Sequence, residues 1–341
     1  MIFLGIESSC DETSVAIISD NILLANLVAS QQFHSNYGGV IPELSSRAHL
    51  QIISPLLKQA LQEANISINQ IDVISATAGP GLIGALLVGL SFAKGLSLSL
   101  NKPFIPVNHI EGHIFSGFLM DEKPIFPMLN LVVSGGHTLL LLVKSETEIY
   151  KLGTTIDDAA GEAFDKVGKM LNLEYPGGPK IQFLANSSSK TELTFPIAKT
   201  KNEFDFSFSG LKTSVLRHIQ NNFPNQIPDD KKAEIAFAFQ EAVTNALISK
   251  CEKAIKQFEI NSISVVGGVA ANQRIKESFI KLGKKYDKKV VIPSPEFCGD
   301  NAAMITLRGK QLFEKGFRFS LSENAFPSIH SNHFLRINYE K

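Results

Sequence analysis

Two histidines four positions apart, His109 and His113 in the stretch PVNHIEGHIF (106–115), are the residues whose spacing first suggests chemistry. On a helix, positions i and i+4 differ by about 40° in direction, so both rings can converge on one ion. Glu111 then points to nearly the opposite side. The zinc-protease pattern H-E-x-x-H needs its glutamate directly after the first histidine, where it activates the metal-bound water. Ile110 holds that place here, which argues against a protease mechanism. A third ligand is available in Asp300 of FCGDNAAMI, at the expected start of a C-terminal helix, where the same residue could equally serve as an N-cap. Two histidines and a carboxylate with open positions suit iron(II) or zinc acting as a Lewis acid. Spacing does not choose between them, and a histidine pair is also compatible with ordinary surface or core positions.

A second group of candidates lies on glycine-rich turns. Ser134, Gly135 and Gly136 follow a strand, where bare backbone could approach a phosphate or an acyl group, although a hairpin turn explains the same residues. YPGGP (175–179) and the pair Gly267–Gly268 are open to the same two readings, and their repetition favours a nucleotide in a cleft. Asp158, Glu162 and Asp165 share a helix face with Lys166 and Lys169, which reads as a solvated ion-pair stripe or, for Asp165, as an acceptor for ribose hydroxyls. In the turn SSCDET, Asp11 and Glu12 could orient a metal, a water or a nucleophile, or simply make the turn. The basic run KLGKKYDKK (281–289) reads as a solvated loop or a phosphate contact.

These residues need a frame. MIFLGIESS, TSVAIIS and NILLANLVAS are β-rich runs, and a similar unit opens at residue 127, where LNLVV and TLLLLV flank SGGH. Two such units, each followed by helical segments, predict a duplicated α/β architecture with a cleft between lobes. Helices are expected over 43–64 and 82–93, after a Thr155 to Asp158 capping pattern, and over 233–258; strands are expected at IDVISATAG and INSISVV. The chain after residue 318 has weak periodicity and is expected to pack loosely. With 341 residues and 44% hydrophobic content the chain can bury a large core. Lysine plus arginine equal aspartate plus glutamate at 33 each, so no global field draws it to nucleic acid or membrane, and RNA would have to use a local patch. Three scattered cysteines without CxxC spacing fit reduced thiols in the cytoplasm. The apolar run 82–93 falls short of the roughly 20 residues that span a bilayer.

Nine blocks in order, GIESSCDETSVAI, YGGVIPELSSRAH, TAGPGLIGALLVG, NHIEGH, LVVSGGHT, IDDAAGEAFDKVGKMLNLEYPGGP, FSFSGLKT, GGVAAN and PEFCGDNAAM, resemble the bacterial TsaD family over residues 1 to about 310. The resemblance implies a two-lobed fold similar to the actin, Hsp70 and sugar-kinase ATPases, with lobes at 1–125, completed by 300–341, and at 126–299. It implies transfer of a threonylcarbamoyl group from threonylcarbamoyl-AMP to N6 of adenosine 37 in tRNAs reading codons that begin with A. His109, His113 and Asp300 match the family's metal ligands, with Fe2+ the usual ion and zinc or magnesium the alternatives. Val132, Val133, Ser134, Gly135, Gly136, Asp165, Gly178 and Asn272 match its substrate site, and Asp11 is the candidate for proton removal or orientation. A TsaB-like paralogue and a TsaE-like ATPase are the implied partners. The final residues match no family block, and His330 and His333 are not expected to be ligands.

Other classes predict other behaviour. A metalloprotease, the family's old label, would cleave protein in a chelator-sensitive way. A kinase or chaperone-like ATPase would turn over ATP. A non-catalytic scaffold would have little need for both the histidine pair and Asp300.

Overall fold

The structure is a computed structural model that describes residues 1–37, 39–188, 191–328 and 337–339; His330 and His333 lie outside the described residues. Apolar runs with β-branched residues form the first three strands, β1 (Ile2–Glu7), β2 (Glu12–Ser19) and β3 (Ile22–Ser30). Helix α1 (Pro42–Glu63), strand β4 (Val73–Gly79), helix α2 (Ile83–Leu100), strand β5 (Phe104–Asn108) and helix α3 (His109–Ser116) follow. The next stretch repeats the plan with β6 (Met128–Val133), β7 (Thr138–Ser145), β8 (Glu148–Thr154), α4 (Ala160–Met170), α5 (Gly177–Ala185), α6 (Ser209–Asn222) and α7 (Asp229–Gln257). It continues with β9 (Ser262–Val266), α8 (Gln273–Tyr286), β10 (Lys289–Val291) and α9 (Pro295–Cys298). Helix α10 (Ala302–Glu314) and strand β11 (Ile337–Tyr339) end the chain.

Two sheets result, ordered β3-β2-β1-β4-β5 and β10-β9-β6-β7-β8-β11. In the first, β1 pairs antiparallel with β2 and parallel with β4, and β4 pairs parallel with β5. In the second, β6 pairs antiparallel with β7 and parallel with β9, and β9 pairs parallel with β10. Strand for strand, β6 to β10 reproduce β1 to β5, so the duplication expected from sequence is present. The terminal strand β11 adds to the outer edge at β8.

The chain divides into two compact units, one of Met1–Asp121 with Gly299–Leu335, the other of Glu122–Cys298 with Arg336–Lys341. In the first unit α10 packs on the sheet through small residues: a Cβ on Gly5 would lie 2.0 Å from Thr306 Oγ1, so only glycine permits this approach. Ser14 Oγ accepts the Ala302 N–H at 2.8 Å, tying the start of α10 to β2. Helix α2 runs 18 residues, to Leu100 rather than Ala93, and by length and composition it passes as a membrane span. Its place argues for a core role: it joins the adjacent parallel strands β4 and β5 and buries Ala85, Leu86, Leu90 and Ala93.

Three local expectations are corrected. Helix α4 begins at Ala160, because Thr155 Oγ1 donates to the Asp158 carbonyl and does not cap the helix. The run 281–289 is no loop: Ile275, Phe279 and Leu282 bury one face of α8 through to Tyr286, and left-handed Asp287 ends it. The segment after 318 is anchored at Phe326, which is buried and donates its N–H to the Ala78 carbonyl at 2.9 Å.

Candidate functional site

In the first unit the histidine helix starts where Asn108 Oδ1 accepts the N–H groups of Ile110 and Glu111, at 2.9 and 3.3 Å. All eight residues of α3 are buried. His109 and His113 face the same way, with ring centroids 4.7 Å apart. Asp300 stands just before α10 and is not its cap; Asn301 takes that role, accepting the Met304 N–H at 3.2 Å. The Asp300 carboxylate is thereby left to the histidines: Oδ1 lies 3.0 Å from His113 Nε2 and 3.5 Å from His109 Nε2. Ligand atoms of the three residues all lie within 4.8 Å of one another, a group that could hold a metal ion.

Sequence reasoning missed Glu7, at the end of β1. Its fully buried carboxylate lies 3.2 Å from His109 Nδ1 and accepts from the Ser9 N–H and Thr77 Oγ1. With a cation bound, a proton on Nδ1 directed to Glu7 would leave the Nε2 lone pair free to ligate. Burial opposes the imidazolium, but the Asp300 and Glu7 charges and the Glu7 hydrogen bond outweigh it and raise the His109 pKa to about 9. Burial, followed by the charges of Asp300 and Asp11, pushes Glu12 up to about 9. This gathering of acidic groups around two imidazoles fits a cation: the donor set is mixed nitrogen and oxygen, and positive charge would relieve the carboxylate repulsion.

Asp11 sits in the turn between β1 and β2, and that turn is held from below by α1. His49, fully buried, places Nε2 3.0 Å from the Cys10 carbonyl and Nδ1 2.7 Å from Thr13 Oγ1, and Ser45 Oγ donates to the same carbonyl. Burial lowers the His49 pKa, so the ring is a neutral strut that donates at one nitrogen and accepts at the other. The YGGVIPELSSRAH block thus supports the Asp11 turn.

The remaining candidates belong to the second unit. Val132 and Val133 are strand residues with fully buried side chains. The Ser134 turn closes through Ser134 N–H to the His137 carbonyl at 2.8 Å and His137 N–H to Ser134 Oγ at 3.1 Å. A Cβ on Gly135, Gly136 or Gly268 would meet nothing within 4 Å, so packing does not explain glycine there. At Gly161 and Gly267 it does: a Cβ would strike the Ser134 carbonyl at 2.6 Å and the Val133 carbonyl at 2.3 Å. Asp165 accepts the Gly177 N–H at 2.8 Å, binding the YPGGP turn to α4, and the neighbouring Gly178 is open apart from Phe164 Cβ at 4.0 Å. Asn272 caps α8 with Oδ1, accepting from Arg274 and Ile275, and donates Nδ2 to Gln240 Oε1 at 2.8 Å. Asp158, by contrast, is absorbed by Lys166 and Lys212, each 2.8 Å away.

The sequence model of the family described as "TsaD: tRNA N6-adenosine threonylcarbamoyltransferase" matches residues 22–307. A protein of Thermosipho africanus, named tRNA N6-adenosine threonylcarbamoyltransferase, is 50% identical over 96% of this chain and 99% of its own. Proteins of the same name from Kosmotoga olearia and Carboxydothermus hydrogenoformans are 49% and 48% identical, each over 96% of this chain and over 98% and 97% of their own. Among solved structures, HypF of T. kodakarensis superposes with a TM-score of 0.61 at 14% identity, covering 92% of this chain and 48% of its own. Component A of the Acidaminococcus fermentans (R)-2-hydroxyglutaryl-CoA dehydratase gives 0.55 at 14% identity, over 91% and 96%. These likenesses establish the fold, the duplicated α/β arrangement of the actin, Hsp70 and sugar-kinase ATPases. Sequence establishes the rest: the chain is a transferase and belongs to the family of tRNA N6-adenosine threonylcarbamoyltransferases.

Proposed function

We propose that this chain transfers the threonylcarbamoyl group of threonylcarbamoyl-AMP to N6 of adenosine 37 in tRNAs reading ANN codons, with a metal ion held by His109, His113 and Asp300. The observation that carries the reading is the convergence of those three donors within 4.8 Å, on a helix whose first histidine is oriented by Glu7. A bound ion would supply Lewis-acid polarisation of the carbamoyl carbonyl, which a weakly nucleophilic exocyclic amine requires. Fe2+ is the expected ion, with zinc and magnesium as the alternatives. In the reaction an N6–carbon bond forms, the bond from the carbonyl carbon to the phosphate oxygen breaks, AMP leaves and N6 gives up a proton.

The protein's own groups have distinct tasks in this scheme. Backbone N–H groups of Val132–Gly136 hold the phosphate or the developing oxyanion, and Gly178 and Asn272 border the same ligand. Asp165 accepts from the ribose hydroxyls while keeping Gly177 in place. Asp11 orients the attacking amine or takes its proton. A TsaB-like paralogue and a TsaE-like ATPase complete the working assembly, in the cytoplasm. The balance of 33 basic and 33 acidic residues accords with tRNA being gripped by that assembly together.

The test combines purified protein, its partners, threonylcarbamoyl-adenylate and unmodified tRNA, followed by nucleoside mass analysis. The modified adenosine is expected, and its absence beside a competent control enzyme would overturn the reading. His109→Ala and Asp300→Ala should each lose bound metal and transfer while remaining folded. Metal content unchanged in both would refute the ligand assignment.

A further inference from the structure

We propose that Glu111 and Arg308 form a positioning clamp that holds His113 at ligating distance from Asp300; this rests on the metal site proposed above. The two histidines are not held alike. His109 has Glu7 on its far nitrogen, whereas His113 Nδ1 is buried with no hydrogen-bond partner among the described residues. Apart from Asp300 itself at Nε2, no hydrogen bond among the described residues holds the His113 ring from behind, so its direction follows from where α3 lies.

The position of α3 is set against α10. Glu111 stands two residues from each histidine and faces away from them, toward α10. There its Oε2 accepts from Arg308 Nε at 2.8 Å and Nη2 at 2.6 Å. The guanidinium carbon lies 4.2 Å from the centre of the Phe115 ring, and Nη1 reaches Gln311 Oε1 at 3.4 Å. Gly112 lets the helices approach, since a Cβ there would lie 2.9 Å from Ile305 Cδ1. Arg308 is about 10 Å along α10 from its capping residue Asn301. The clamp therefore ties α3, at a point between its two histidines, to a point on α10 about two turns beyond Asp300.

The side chains of Arg308 and Glu111 are only 1% and 4% exposed. For a pair this dry, the cost of desolvating both charges cancels much of their attraction, and an apolar pair of similar size would fold as well. What an apolar pair lacks is direction: two N–H groups of a rigid fork converging on one oxygen fix both distance and angle. Glu111, misplaced for a protease, is well placed to set this register.

The experiment uses Co2+ as the probe, titrated into the metal-free full-length protein and read by its visible absorption, with thermal unfolding measured in chelator. Glu111→Leu and Arg308→Met singly should lower the melting temperature, because each strands a buried charge. Together they should restore it to near the starting value, yet bind Co2+ about 10- to 100-fold more weakly and with an altered spectrum. Arg308→Lys, which keeps the charge and loses the fork, should also weaken Co2+ binding, and it carries the test if the double variant does not fold. A folded double variant, or in its absence Arg308→Lys, with unchanged Co2+ affinity and spectrum would overturn the clamp while leaving the metal site standing. Failure of the unaltered protein to bind Co2+ would overturn both.

Discussion

The turn between β1 and β2 and the turn between β6 and β7 occupy the same place in the two copies of one topology, yet they are built from opposite materials. The first, Ser8 to Asp11, is crowded: Ser8 Oγ donates to the Ala85 carbonyl, Ser9 to Glu7, and Cys10 is held by Ser45 and His49. Around it stand Glu7, Asp11, Glu12 and Asp300. The second, Ser134 to His137, closes on itself and presents Gly135 and Gly136 to open space. One copy concentrates charged side chains, and the other carries glycines that leave its backbone uncovered, the contrast on which the proposed cation and adenylate sites rest. Duplication supplied the scaffold twice, and divergence gave each copy a turn of different composition.

Substitutions that act on one turn and spare the other test this division. The largest effect is expected from Glu7→Gln, which keeps shape but removes the negative charge on His109. Metal affinity should fall about 10- to 100-fold by equilibrium dialysis, with adenylate binding unchanged. Gly161→Ala comes next: its Cβ would press on the Ser134 carbonyl at 2.6 Å, costing about 1–3 kcal/mol in urea unfolding and disturbing the glycine turn. Gly135→Ala should be silent in that assay, within about 0.5 kcal/mol, because a Cβ there meets nothing. It should still weaken adenylate binding by calorimetry, and equal affinity would remove this turn from the ligand site.

The smallest effect concerns Glu12. Its folded pKa of about 9 lies above the ordinary 4.5, so the unfolded chain releases the proton first. Stability is accordingly lost as pH rises from 4.5 toward 9. Glu12→Gln should therefore raise the melting temperature more near pH 8 than at pH 5. A constant gain across that range would refute the raised pKa.

How far the sequence could be read depends on the distance over which its signals act. Strands and turns were legible because LNLVV and TLLLLV are short apolar runs bounded by turn residues. The start of α4 was not, because its acidic residues answer to distant groups. Asp157 accepts from the Phe208 and Ser209 N–H groups and from Ser207 Oγ, and Asp158 pairs with Lys212. At the candidate site the histidine pair was visible as a helical spacing, and Asp300 as a remote third candidate that, the resemblance aside, an N-cap explained equally well. Glu7 meets His109 across 102 residues and Arg308 meets Glu111 across 197, so no local pattern could announce either. His49 was hidden in the same way, as one of many polar residues on a mixed helix.

The return of Gly299 onward to the first unit has a consequence for the order of events during synthesis. Residues 1–121 leave the ribosome early, but Ser14 and Gly5 await their contacts with Ala302 and Thr306, and the histidines await Asp300. At about 5–20 residues per second, Glu122–Cys298 of the second unit emerges before any of these arrives. A chain interrupted before residue 299 would present two histidines without their carboxylate. The group of His109, His113 and Asp300 is thus assembled only after the whole of Glu122–Cys298 has been made.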